Sequence, residues 1–219
     1  MPSPFDQSTY QVRLDWGTAG LARLADADIV VVVDVLRFSS TVVDAIASGT
    51  EVGLAEAEEW SRNGAAVAAA ASTGSTVFVG GIRNAGAVAR AVQTVQERRR
   101  ARTSVAVIAA GELDEKGVLR FAVEDQLGAG AIIAALSARG IDHTAPDAAV
   151  ASEGFHALRG AVRHMVGASG SGRELAGGVS ATARIEAAGL DPTSVADAAV
   201  LDAVEAVPVL RDGVFTRFE

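Results

Sequence analysis

The run from Ile29 to Val35 is β-branched at almost every position and is broken only by Asp34. A strand that is apolar on both of its faces must be covered on both, which points to a parallel sheet between helical layers rather than to a sheet with one wet face. The run feeds Ser39, Ser40 and Thr41 and then the helical stretch Val42 to Ala47, with Gly49 placed to end it. The same scheme recurs twice. Thr76 to Val79 passes through Gly80, Gly81, Arg83 and Asn84 into a helix from about Ala85 to Arg100. Val105 to Ala109 is followed by a loop from Gly111 to Arg120 and a helix from about Val123 to Arg139, stopped by Gly140. Strands alternating with helices of this length predict an α/β fold, a three-layer α/β/α sandwich with a mostly parallel sheet whose ligands gather at the carboxyl ends of the strands.

Other segments fill in the outline. Val12, Leu14 and Trp16 alternate with polar residues and predict a first strand, and Gly17 and Gly20 after it read as a loop. Pro146 to Arg163 reads as helix, Gly167 to Gly172 as a loop, and Arg184 to Ala188 as further helix. Val207 to Leu210 and Val214 to Phe218 flank Arg211, Asp212 and Gly213, a hairpin signal that makes the sheet mixed. No repeat or linker divides the chain, so residues 1–219 are expected to form one domain. With 49% hydrophobic residues but only 5% aromatic, the core is expected to be Val, Ala, Leu and Ile packed between close layers.

The composition removes several function classes. Lys and Arg number 19 against 27 Asp and Glu, a formal charge of −8, and this sign argues against nucleic acid as a partner. The chain has no cysteine, which excludes a disulfide framework, a thiolate zinc site and a cysteine nucleophile. No apolar run approaches the roughly 18 residues of a membrane span, so no membrane partner is expected and the cytoplasm is the default location. So apolar and alanine-rich a chain also allows a homo-oligomer.

The chemistry concentrates in two clusters. Asp34 near the end of a buried strand needs a cation or hydrogen bonds, and Arg37 beside it can grip a phosphate or carboxylate with its planar fork. Ser39, Ser40 and Thr41 at the helix start add donors beside free backbone N–H groups, so the segment reads either as an anion cradle or as a capped helix with an internal Asp34–Arg37 ion pair. Glu124 and Asp125 open a later helix after a loop carrying Glu112, Asp114 and Glu115. Adjacent acids there either complement the helix dipole or ligate magnesium, which takes a few carboxylates plus waters and substrate phosphate. Asn63-Gly64 and Asn84 precede helices and can donate to an anion or cap. Leu36 stands where a haloacid-type phosphatase needs its second Asp, Arg163-His164-Met165 fails the Arg-His-Gly of a histidine phosphatase, and Gly80-Gly81 with Gly86 does not fit a dinucleotide fingerprint.

These residues resemble one family, the magnesium-dependent 2-phosphosulfolactate phosphatases. The likeness rests on Asp34-Val35-Leu36-Arg37 with its Ser/Thr run, Asn63-Gly64, Val79-Gly80 leading to Asn84, and Ala110-Gly111-Glu112 leading to Glu124-Asp125 and Gly128-Ala129-Gly130. Ser171-Gly172-Arg173-Glu174-Leu175 and Val207-Pro208-Val209-Leu210 continue it in order. The resemblance implies magnesium-dependent hydrolysis of a phosphate ester on a small sulfonated or carboxylated acid. It makes Asp34, Arg37, Asn63, Asn84, Glu124 and Asp125 candidate site residues. With the anion-cradle reading of the residues, the expected roles are Asp34, Arg37 and Glu124 in catalysis, Asp34, Glu124 and Asp125 on the metal, and Ser39, Ser40, Thr41, Asn63, Gly64 and Asn84 on the substrate. The likeness departs at one place. Only Glu51 to Trp60 bridges the first crossover helix and the Asn-Gly loop, where family members carry several dozen more residues with Gly-Glu-Arg and Gly-Asn-Ser-Pro motifs. That gap motivates a second reading, a shortened paralogue that binds a small anion or a protein partner without turnover.

Overall fold

The computed structural model describes residues 3–71, 73–114, 116–178 and 180–219. The strands are β1 (Val12–Trp16), β2 (Ile29–Val33), β3 (Val52–Gly53), β4 (Thr76–Val79), β5 (Val105–Ala109), β6 (Glu112–Leu113), β7 (Leu119–Arg120), β8 (Pro208–Arg211) and β9 (Val214–Arg217). Seven of them form one sheet in the order β1-β5-β2-β4-β8-β9-β3, and β6 pairs with β7 in a separate hairpin. From β1 to β4 the pairing is parallel, and β8, β9 and β3 add antiparallel partners at one side.

The central strand shows how the sequence makes the layers. All five residues of β2 are buried, and the period of two sends them to opposite faces. Ile29, Val31 and Val33 join Val88, Val92, Leu127 and Ile132 in one core, beneath the helices Ala85–Arg99 and Val123–Ser137. Val30 and Val32 join Phe38, Val42, Ile46 and Val67 in the other, beneath the helices Phe38–Ala47 and Gly64–Ala71. This is the α/β/α sandwich with a mixed sheet that the alternation of segments predicts.

One glycine sets the height of the Val123–Ser137 helix over the sheet. A Cβ on Gly128 would lie 2.7 Å from Cγ2 of Val35 and 2.9 Å from Cγ1 of Val33, so only glycine allows this approach. Glu124 and Asp125, one turn earlier, are thereby brought to the end of β2.

Several boundaries differ from the sequence expectation. Gly17 to Arg23 is helix, not loop: Gly17 takes φ +62°, which lets the chain turn from β1 straight into a helical turn. The expected loop from Gly167 to Gly172 is the junction of helices Val162–Ala168 and Gly170–Ala176, because the Ser169 hydroxyl accepts the Gly172 N–H at 3.0 Å and caps the second helix. The Pro146–Leu158 helix passes through a 3₁₀ turn at Arg159–Ala161 before the next helix begins. The Gly111–Arg120 loop contains β6 and β7, and helix Leu54–Trp60 occupies the short bridge after β3. Among the described residues no helix is long and apolar enough to cross a membrane.

Candidate active site

Asp34 is the first residue beyond β2, and Gly111 lies two residues beyond its neighbour β5, so both sit at the carboxyl edge of the parallel strands. Asp125 joins them. Its Oδ1 accepts the Val35 N–H at 2.7 Å and its Oδ2 accepts the Gly111 N–H at 2.9 Å. The Oδ2 of Asp34 accepts the Gly64 N–H at 2.9 Å, which pins the start of the Gly64–Ala71 helix to the same place. Gly64 must be glycine here, since a Cβ would stand 2.4 Å from the Phe38 ring and 2.8 Å from that Asp34 oxygen. Three stretches distant in sequence are thus tied together by backbone N–H groups donating to carboxyl oxygens.

The tied loops enclose a cleft of about 280 Å³ lined by Asp34, Arg37, Trp60, Asn63, Glu124 and Asp125 among others. Asp34 is 7% exposed, and Glu124 and Asp125 are 2% exposed each. No ion pair with a basic side chain is formed by any of the three among the described residues. Burial pushes the Asp34 carboxyl up to about 7, with the charges of Glu124 and Glu112 adding to the rise and the N–H groups of Gly64 and Phe38 opposing it. Burial also holds Asp125 well above the usual carboxylate range, helped by Asp34 and Glu124 and opposed by its two backbone donors. The Glu124 carboxylate accepts no hydrogen bond among the described residues.

The other residues singled out from the sequence divide into two groups. Arg37 and Asn63 line the cleft, and Gly64 contributes its N–H to Asp34. One Arg37 nitrogen donates to the Thr182 hydroxyl at 2.6 Å while its Nε has no partner, and it forms no ion pair with Asp34. Ser39, Ser40, Thr41 and Asn84 do not line the cleft. Ser39 accepts the Asp34 N–H and donates to the Val32 carbonyl, and Ser40 donates to the Val35 carbonyl, so both brace the loop that presents Asp34. Thr41 is buried with its hydroxyl unpaired. The Asn84 side chain accepts the Gly81 N–H and donates to the Ala206 carbonyl, joining the β4 loop to the chain before β8.

Residues outside the list of candidate site residues complete the walls. Glu112 accepts from Arg120 and from Ser171, and the helices Gly170–Ala176 and Ser180–Ala187 bring in Glu174, Arg184 and Ile185. Ser171 and Glu174 belong to the Ser-Gly-Arg-Glu-Leu segment, a signal the sequence did carry. Arg62 belongs to the Arg62-Asn63-Gly64 loop, which the sequence offered as an anion donor, whereas Trp60 and Arg184 had no signal, because nothing in their local pattern distinguishes a cleft wall from an ordinary surface.

The donor chemistry suits a hard divalent cation. Three buried carboxylates without a counter-ion repel one another, and a cation among them removes that repulsion. Among the described residues no group of three or more His, Asp or Glu is arranged to hold a metal ion. A cation that keeps most of its waters and takes only one or two carboxylates fits this arrangement better than one that requires full protein ligation.

A parallel-sheet edge carrying buried acids, an arginine and backbone donors around one small cleft defines an α/β protein with a polar cleft at the carboxyl ends of its strands. The chain belongs to the 2-phosphosulpholactate phosphatase family, whose family model matches residues 60–213. No curated protein matches the chain. The match includes Asn63, Asn84, Glu124 and Asp125 and begins beyond Asp34 and Arg37; Asp34 is tied to the matched part by the Gly64 N–H, Val35 by Asp125, and Arg37 by the Thr182 hydroxyl.

Proposed function

We propose that the chain is a magnesium-dependent phosphatase that hydrolyses the phosphate ester of a small acidic metabolite such as 2-phosphosulfolactate. The observation that carries this reading is the convergence of Asp34, Glu124 and Asp125, unpaired by any base, with Arg37 on one cleft. One or two of the carboxylates Asp34, Glu124 and Asp125 would hold the magnesium, which when bound would supply positive charge to the phosphoryl oxygens and acidify water. Arg37 has an unpartnered Nε–H and a fork that suits two phosphoryl oxygens, so it orients the ester and stabilises charge during displacement. Glu124, its carboxylate free of hydrogen bonds, takes the proton of the attacking water. Oxygen–phosphorus bond formation by that water and cleavage of the ester bond release inorganic phosphate and the hydroxy acid.

Phosphate release from 2-phosphosulfolactate and related phospho-acids, with magnesium and with a chelator, tests the proposal. Magnesium-dependent release is expected, and no release from any of them overturns it. A melting-temperature rise with phosphate or sulfonate ligands, together with zero hydrolysis, would instead select the shortened binding paralogue suggested by the brief Glu51 to Trp60 bridge.

A further inference from the structure

Five buried side-chain polar atoms lack a hydrogen-bond partner among the described residues, and three of them belong to cleft-lining residues: Arg37 Nε, Trp60 Nε1 and Asn63 Oδ1. An unmade buried hydrogen bond is expensive, so this concentration at one cleft marks positions that a ligand completes. Arg37 is already assigned to the phosphoryl group. Trp60 is 4% exposed, packs its ring against Phe38 at 5.8 Å, and carries a donor-only N–H that calls for an acceptor. Two further cations line the same cleft, Arg62 in the loop after Trp60 and Arg184 on the Ser180–Ala187 helix, and neither guanidinium has a hydrogen bond or ion pair among the described residues. The Ser180–Ala187 helix is held by Ile185, buried in the second core, and by the Thr182 hydroxyl on Arg37. Arg184 is therefore carried on an anchored element.

We propose that Trp60, Arg62 and Arg184 form a specificity wall that binds the non-reacting acid group of the substrate and selects phospho-acids over simple phosphate esters. The inference rests on the phosphatase reading for the orientation of the ligand. The acidic side of the cleft, with Arg37, engages the phosphoryl end, and the remaining unpaired donors complement a second oxyanion. Arginine supplies a planar, bidentate match to a carboxylate or sulfonate, and the indole N–H adds direction.

Binding of 3-phosphonopropionate, which carries both acid groups and has no ester bond to hydrolyse, is compared with that of methylphosphonate by calorimetry and tryptophan fluorescence in the presence of magnesium. The intact chain is expected to favour the two-headed ligand by at least about tenfold, and R184Q and R62Q each to remove most of that preference. W60F is expected to reduce the preference and to abolish the fluorescence response, while W16F retains both. Because Arg184 is exposed, R184Q tests the wall even where W60F disturbs the core. Equal affinity for the two ligands in the intact chain, or a preference that survives R184Q and R62Q, overturns the proposal. A preference lost in these variants from a chain that hydrolyses no phosphate ester would support the wall while rejecting the phosphatase reading.

Discussion

The backbone N–H of Val35 donates to Oδ1 of Asp125 across ninety positions of sequence, at 2.7 Å and away from solvent. This bond joins the residue after Asp34 to the first turn of the Val123–Ser137 helix. Together with the Gly111 N–H on Oδ2 it spends both oxygens of Asp125 on orientation. The acid is therefore a fixed corner of the cleft, and the loops after β2 and β5 are held at one height by it.

Replacing that corner has a stability consequence. D125A strands two buried N–H groups, and a lost partner for a buried donor costs about 1–3 kcal/mol. A destabilisation of roughly 2–4 kcal/mol in chemical denaturation, with loss of activity, is expected. A D125A chain as stable as the parent would mean that the two N–H groups find other acceptors.

Gly64 makes a second, steric prediction. A Cβ there meets the Phe38 ring at 2.4 Å and the Asp34 carboxylate at 2.8 Å, in a region where both neighbours are buried. G64A should cost about 1–3 kcal/mol through overpacking and displace Asp34. G49A is a useful comparison: Gly49 has φ +87° with open space around it, so its cost is backbone strain without any effect on the cleft. Turnover and denaturation midpoints of both variants separate the two effects.

How far the sequence disclosed this arrangement depends on range. The fully apolar run of β2 was legible because a two-sided strand needs β-branched residues throughout, and the hairpin at Arg211 to Gly213 because turn chemistry is local. Asp34, Arg37, Asn63, Glu124 and Asp125 were legible as polar residues at strand ends and helix starts, where unpaired N–H groups collect. Ser39, Ser40 and Asn84 carry the same local signature, yet their side chains serve the backbone. Local pattern does not encode which way a side chain faces. Gly17 and the Gly167–Gly172 segment misled for a related reason, since a positive φ in one and the Ser169 cap in the other overrode the usual weight of glycine against helix. Trp60 and Arg184 reach the cleft only through packing between distant helices.

The elevated carboxyl of Asp34 predicts how the metal-free protein responds to pH. Its proton is held up to about 7 in the fold against an ordinary value of 3.8, so the fold favours the protonated form. That contribution is fully present below about pH 4 and is lost as pH rises through about 7, and Asp125 acts in the same direction. In chelator, denaturant midpoints should therefore fall between about pH 5 and about pH 8. D34N should show a smaller fall, because its amide has no proton to lose. A midpoint that rises across this interval, or the same slope in D34N, would contradict the assignment.

Glu124 provides the sharpest separation of stability from function. It is buried, its carboxylate accepts no hydrogen bond among the described residues, and it adds negative charge against both Asp34 and Asp125. Neutralising it removes repulsion without stranding a donor, so metal-free E124Q should melt no lower than the parent, and higher by about 2–4 °C for each kcal/mol relieved. The same change deletes a proposed cation ligand and the proposed base. Magnesium should then raise the melting temperature of E124Q less than that of the parent, and turnover should fall by about 100-fold or more. The two readouts move in opposite directions only if the charge that destabilises the empty cleft is the charge that the reaction uses. E124Q that loses stability in chelator, or that keeps both its magnesium response and its turnover, would place Glu124 among the structural residues of the helix.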